Sequence, residues 1–425
     1  MPRAAICLAF GSVVSIVFSI AVSQLLLGLA LIVLQAPPRR LRFPPIKLQL
    51  LLFFCYTVLS ALLSGHAAAG WPQIRKFFVW GIALAVASTF QSVRHVRLLC
   101  LSWMAMGCVS VGVALAQLVR RVEQARAQGW GGYGWYLDSR LTGLSGHWMT
   151  YGGELMIILL FALSFVLFSQ PSKWRIAACL SLPFLWVGIV LGLTRGIFLF
   201  AVPLAGIYLL RRTKWLAVAL PICAIVLLLA APLPIRERLT SIFHPHSSVD
   251  SNSRRMIMAR AGWAMIAAHP WFGVGPEQVG PQFLRYVPKD VPRPLPKGWY
   301  GHLHNIYLQF AAERGIPALM LILWLIATVI ADLHRTAAKF ALNANAWPLH
   351  GCVAVCIAVL AEGMFEHNLG DSEVLTMFLA TVACGYVSKW QLESDGTTDI
   401  TEREPALAGA LDAQHNSIAA MPMPA

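Results

Sequence analysis

The stretch Tyr300-Gly301-His302-Leu303-His304-Asn305-Ile306-Tyr307-Leu308-Gln309-Phe310-Ala311-Ala312-Glu313-Arg314-Gly315-Ile316-Pro317 puts two imidazoles, a carboxamide and a Glu-Arg pair where a long polar loop runs into an apolar helix. Imidazole gains and loses a proton near neutral pH, so these residues suit a general base acting on a weak nucleophile such as a hydroxyl. His304 is the stronger candidate, because the pattern predicts that it begins a helix with Leu308, Ala311 and Gly315 along the same face. His302 lies outside that helix. A lone histidine at a membrane edge more often caps or hydrogen-bonds a loop, so its neighbours must decide. The cations that would accompany it are Arg195, between two apolar runs, and Arg254, Arg255 and Arg260, in one predicted helix. Charge near a membrane interior is expensive and tends to be functional, and a guanidinium fork matches phosphate oxygens. Arg140, His302, Asn305, Tyr307, Gln309 and Glu313 are weaker candidates for binding or support.

These groups need a scaffold, and the composition says which kind. Over 425 residues the mean hydropathy is +0.65 and 12% of residues are charged, which excludes an array of soluble domains and indicates an all-α polytopic membrane protein. A crossing takes about 20 apolar residues, so the run over 5–35 reads as two tight spans. It is too long for the apolar core of a cleaved signal. Further segments near 48–64, 77–91, 98–117, 149–169, 176–193, 197–211, 215–233, 316–333, 346–364 and 373–390 bring the expectation to twelve. From Ser394 to Ala425 the chain is polar and aperiodic, and is expected to be a disordered cytoplasmic tail after a membrane unit covering 1–393.

The net charge of +14 would suggest nucleic acid in a soluble protein, but much of it sits in short loops between apolar segments. It therefore implies topology and anionic membrane lipids, with no nucleic acid. Arg39, Arg40, Arg42 and Lys47, then Arg94 and Arg97, Lys173 and Arg175, Arg211, Arg212 and Lys214, and Arg335 with Lys339 fall on alternate connections. These mark the cytoplasmic face and put both termini there. The two long connections, 118–148 and 234–303, and the Glu366–Glu373 turn are then external, whereas Arg75 and Lys76 break the charge rule. The second long loop carries nine Arg and Lys against four acids, which suggests an anionic substrate on that side. Within it Ser253 is expected to cap a helix running to Ala268, with Ile257, Ala261, Ala264, Met265 and Ala268 on the apolar face. Gly273-Val274-Gly275-Pro276 then makes a tight turn. Trp130, Tyr133, Trp135 and Tyr136 in the first loop suit a lipid interface or the faces of sugars. Glu362, Glu366, Asp371 and Glu373 read as a solvated turn. The nine cysteines lie in apolar runs without a CxxC pair, so neither zinc nor a disulfide framework is implied. No P-loop or dinucleotide fingerprint occurs.

His304-Asn305, nine residues and then Gly315 resembles the pattern of bacterial O-antigen ligases, His-[Asn/Ser/Gln]-x9-Gly-x-x-[Gly/Thr/Tyr], departing at Ala318. Pro270-Trp271-Phe272-Gly273-Val274-Gly275 resembles the Pro-x-x-Gly-x-Gly turn of the ligase and polymerase superfamily, and Arg140-Leu141-Thr142-Gly143 and Thr194-Arg195-Gly196 resemble two further signatures. The resemblance implies a GT-C-like helical enzyme in a Gram-negative inner membrane. It would transfer a glycan from undecaprenyl diphosphate to lipid A-core at the periplasmic face, with inversion at the anomeric carbon, no cofactor and no metal. It further implies His304 as base and Arg195 with Arg254 or Arg255 on the diphosphate. Protein O-oligosaccharyltransferases share a similar run, matched here in His304-Asn305 and Leu308-Gln309, and glycan polymerases share the donor. A lipid transporter is a rival of another class, expected to carry its charges along the spans.

Overall fold

The computed structural model describes residues 3–36, 41–129, 140–211, 251–296 and 300–419, with side chains of 251–252 and 396–419 excepted. Among these the chain is helical without a strand. The helices are α1 (Arg3–Ser15), α2 (Ile20–Gln35), α3 (Lys47–Leu63), α4 (Trp71–Lys76), α5 (Gly81–Thr89), α6 (Val93–Ala127), α7 (Trp148–Phe168) and α8 (Lys173–Leu191). A π-helical turn, Ile197–Ala201, leads into α9 (Val202–Leu210). There follow α10 (Ser251–Ala268), α11 (Val279–Tyr286), α12 (Ile306–Arg314), α13 (Ile316–Lys339), α14 (Trp347–Glu362) and α15 (Ser372–Ala419).

Among the described residues five helical stretches are long and apolar enough to cross a bilayer: Val93–Ala127, Trp148–Phe168, Lys173–Leu191, Ile316–Lys339 and Ala344–Glu362. Four more, Arg3–Ser15, Ile20–Gln35, Lys47–Leu63 and Ile197–Leu210, are apolar but shorter. The chain is thus a polytopic helical membrane protein. Each apolar segment expected from the sequence falls on a helix except 215–233, which lies outside the described residues. Where the sequence predicts a disordered tail from Ser394, the backbone of α15 continues as helix to Ala419.

A helix that is apolar all round must be buried, and α7, α14 and the first part of α15 meet this condition. From Thr150 to Ala162 every residue of α7 is buried, and α14 is buried along most of its length. They form the axis of the bundle, with Trp347 between Phe161 and Phe165 at ring distances of 5.0 and 5.1 Å. The loop carrying Arg140 and His147 leads into α7, and the turn carrying Glu366 follows α14.

The loop helices have their own core. Met258, Ala261 and Met265 of α10 meet Val279 and Phe283 of α11, and Leu308, Ala311 and Ala312 of α12. This corrects the predicted apolar face of α10: Met258, Ala261, Met265 and Ile266 are inward, and Ala268 is exposed. The helix also starts two residues before the predicted cap, at Ser251. Arg254 precedes Met258 by one turn and so emerges at the end of the buried stripe.

Two of the sequence patterns prove to be one joint. The backbone N–H groups of Val274 and Gly275 donate to the carbonyls of Ala312 and Glu313 at 2.8 and 2.9 Å, and Ile316 N–H donates to Pro270 O at 2.8 Å. Gly315 has φ +86°, and a Cβ there would lie 1.8 Å from Trp271 O. Gly273 has φ +68°, with Glu313 backbone 2.2 Å from its would-be Cβ. Both glycines are thus required twice, by left-handed backbone and by close approach of another chain segment. Ala318, the position that departs from the ligase pattern, is completely buried, in keeping with a small residue.

Candidate active site

A cavity of about 220 Å³ is lined by Arg140, His147, Trp148, Thr194, Arg195, Arg254, Arg255, Met258, His302, His304, Glu362 and Glu366, among others. Six of the sequence-selected residues, Arg140, Arg195, Arg254, Arg255, His302 and His304, therefore share one void, although they come from four separate segments. Arg195 sits where α8 has ended and the π-helical turn has not begun. Leu193 there has φ +51°, and Gly196 packs against Phe365. Such helix interruptions present a side chain and backbone together, and π-turns recur at functional sites.

His304 does not begin a helix as predicted. Asn305 is the N-cap of α12: its Oδ1 accepts from Leu308 N–H at 2.9 Å, so the first helical residue is Ile306. His304 precedes the cap with φ +48°, a left-handed conformation that costs a non-glycine residue about 1–2 kcal/mol. Several bonds hold it in this state. Ile306 N–H donates to Gly363 O at 2.8 Å, Asn305 Nδ2 to Met364 O at 3.0 Å, and Tyr307 OH to Leu360 O at 2.8 Å. Gln309 Oε1 accepts from Leu303 N–H at 2.8 Å. Asn305 and Tyr307 thus fix the histidine loop to the 360–364 segment, Gln309 ties the loop to α12, and none of the three lines the cavity. Arg260 lies apart as well, paired with Asp290 at 2.8 Å on an exposed surface. Trp130, Tyr133, Trp135 and Tyr136 lie outside the described residues.

The carboxylate that meets His304 is Glu366. His304 Nδ1 is 2.9 Å from Oε2 and 3.1 Å from Oε1, with the Glu366 side chain only 7% exposed. Burial alone would raise this carboxyl. The hydrogen bond from His304, the nearness of both imidazoles and the backbone N–H of His367 together hold it below its ordinary value, so it is ionised. An ionised carboxylate can only accept, so Nδ1 of His304 carries a proton, and in the neutral ring Nε2 keeps its lone pair. His302 has the opposite arrangement. Its Nδ1 accepts from His304 N–H at 3.1 Å, which puts its proton on Nε2, 3.6 Å from Glu366. Burial, with His304 beside it, pushes His302 down to about 4, so it is neutral at physiological pH.

Glu366 was read from the sequence as part of a solvated turn; it is buried, as is Glu362 one helical turn earlier. Their i, i+4 spacing at the end of an apolar run was the available cue. His147 was also missed. It caps α7, with Nδ1 accepting from Met149 N–H at 3.3 Å, and burial lowers its pKa. The loop before it is pinned by Ser145, whose hydroxyl donates to Glu154 at 2.6 Å, and Arg140 lies over the Trp148 ring at 3.8 Å.

His302, His304 and Glu366 offer ligand atoms within 4.8 Å of one another, which makes them the one described group able to contact a single metal ion. The donor chemistry fits poorly. A metal-bound histidine normally donates its second N–H outward, whereas His302 already uses its Nδ1 lone pair on a backbone N–H and carries its proton on the other nitrogen. Four neighbouring arginines add repulsion for a cation.

Arg75 and Lys76, anomalous under the charge rule, belong to this end of the molecule. Lys76 Nζ hydrogen-bonds Gly370 O in the turn after Glu366, and Gln73 bonds the Glu277 carboxylate. Lys76 thus joins a connection to the turn beside the site.

Fold and cavity together define a polytopic helical membrane protein with a histidine–carboxylate pair and an arginine cluster in one pocket. Residues 176–323 match the family model described as O-antigen ligase, which supports membership of the O-antigen ligase superfamily and, at a coarse level, a role in glycan assembly. No curated protein matches the chain. The matched segment holds Arg195, Arg254, Arg255, His302 and His304; Arg140 and Glu366 fall outside it.

Proposed function

We propose that the protein is a glycosyltransferase that moves a glycan from undecaprenyl diphosphate onto a sugar hydroxyl of lipid A-core, at the periplasmic face of a Gram-negative inner membrane. The observation that carries this reading is the sharing of one cavity by His304, its partner Glu366 and four arginines. Nε2 of His304 takes the proton of the attacking hydroxyl while its oxygen bonds to the anomeric carbon. The bond from that carbon to the phosphate oxygen breaks, and attack opposite the leaving group inverts the centre. Glu366 orients the ring and stabilises the imidazolium that forms. The departing diphosphate carries the negative charge, and Arg195, Arg254 and Arg255, with Arg140 across the cavity, supply the fixed positive field in which it develops. The balance needs no further reactant.

The similarity to protein O-oligosaccharyltransferases in His304-Asn305 and Leu308-Gln309 does not bear on the acceptor. Asn305 and Gln309 hold the loop and Leu308 is core. Reconstitution with undecaprenyl-diphosphate glycan and either lipid A-core or a pilin-type protein tests the assignment. Glycosylation of lipid A-core is expected, insensitive to chelators and lost in His304→Ala; modification of the protein alone, or an active His304→Ala enzyme, overturns it. Translocation of the lipid without glycan transfer would instead indicate a transporter.

A further inference from the structure

A second cavity, of about 590 Å³, opens at the end of the bundle opposite the site. The chain direction fixes that placement. α3 ends beside the 272–275 turn and begins at Lys47, while α15 starts beside Glu366 and passes Trp390 at the far end. The walls include Phe43, Phe90 and Trp390, and the cations are Arg42 and Lys47. The main chain at Arg42 is fixed, with its N–H donating to Ser88 Oγ and its carbonyl accepting from the same hydroxyl, each at 3.0 Å. The guanidinium lies over the Trp390 ring at 5.6 Å.

Glu393 is the acid in this lining, and its Oε1 is 3.8 Å from Lys389, which also pairs with Asp332. Among the described residues no carboxylate comes within ion-pair distance of Arg42 or Lys47. Directly along α3 from Lys47, Leu48, Leu51 and Leu52 are 57, 58 and 40% exposed and form an apolar strip. Two cations with no carboxylate partner among the described residues, an aromatic wall and an adjoining apolar strip match the parts of one class of molecule: a phosphate-bearing headgroup with acyl chains.

We propose that this cavity binds an anionic glycerophospholipid from the leaflet at this end of the bundle. The phosphate lies between Arg42 and Lys47 and the chains lie along Leu48, Leu51 and Leu52. Bound there, the lipid joins the start of α3, the α5–α6 connection and α15, three elements distant in sequence. The ligand chemistry is a phosphate ester, which free phosphate would share, so the apolar strip separates the two sources.

The test uses the full chain, delipidated in neutral detergent, with phosphatidylglycerol, phosphatidylcholine or inorganic phosphate added, read by native mass spectrometry and thermal melting. Phosphatidylglycerol is expected to be retained and to raise Tm, with neither effect from phosphatidylcholine or phosphate. Each basic group near a lipid surface is worth about fivefold in affinity, so Arg42→Gln with Lys47→Gln should weaken retention roughly thirtyfold. Glu393→Gln should strengthen retention, a direction that damage to folding would not produce. Lys47→Gln alone, a change at an exposed helix start, serves if the double variant does not fold. Equal retention of the two lipids, full competition by inorganic phosphate, or unchanged retention in the Arg42 and Lys47 variants would overturn the proposal.

Discussion

The cavity around His304 and the Glu313–Arg314 pair ten residues further on use the same chemical groups for opposite purposes. Arg314 and Glu313 side chains are 3 and 4% exposed and lie 3.1 Å apart. Gln73 Oε1 accepts from Arg314 at 2.9 Å, Phe310 lies 5.2 Å from the guanidinium, and Glu313 accepts from Glu277 N–H at 3.0 Å. The two charges pair with each other and brace the joint between α12 and the glycine turn, although Glu313 Oε2, Arg314 Nε and Arg314 Nη1 make no hydrogen bond. At the cavity the cations instead line a void, and Arg254 Nε is buried with no hydrogen-bond partner. Residue type is thus alike in the two regions, and the void tells them apart: Arg314 is enclosed beside Glu313, whereas the cavity arginines are half-buried around an open space.

Substitutions can pull the two regions apart. The largest effect expected after loss of His304 is at Arg195: Arg195→Ala should lower turnover by about 10²–10³-fold with the protein still inserted, since it removes a charge aimed at the leaving group. Arg195→Lys should be nearly as damaging, because an ammonium lacks the fork; a fully active Lys enzyme in the transfer assay would remove Arg195 from phosphate pairing. Arg314→Leu should do the reverse. Stranding Glu313 costs about 3–5 kcal/mol, seen as a lower Tm and less inserted protein, and an intact Tm with lost turnover would erase the distinction between the regions. Glu366→Gln keeps the shape but removes the acceptor charge, so kcat should fall by roughly ten- to a hundredfold with KM little changed.

The smallest effect is on pH dependence. His302 is held near 4 when folded against an ordinary 6.5, so on acidification the unfolded chain takes up its proton first. Its contribution is complete above pH 6.5 and is lost as pH falls through that window toward 4. From pH 6.5 to 5.5 the loss is about 1 kcal/mol, and His302→Gln should flatten that part of a Tm-against-pH curve.

Much of this architecture was legible in the sequence because apolar length and charge placement are local. The joining of the Pro270–Gly275 turn to Gly315 was not, although each pattern was visible alone, since the contact is set by how α12 and the loop meet. Glu366 was harder still: it is 62 residues from His304, in a turn whose polar letters suit solvent equally well. The helix start was misplaced by two residues because the imidazole drew attention away from Asn305, a strong N-cap type standing just before an apolar residue.

The left-handed backbone at His304 has a further implication for how this sequence can drift. At φ +48° glycine would relieve the strain that histidine bears there, but it would leave the buried Glu366 carboxylate without the imidazole that pairs with it. Engineering that relaxes the backbone at His304 would therefore exchange one local cost for another, and would also remove the base proposed for the transfer.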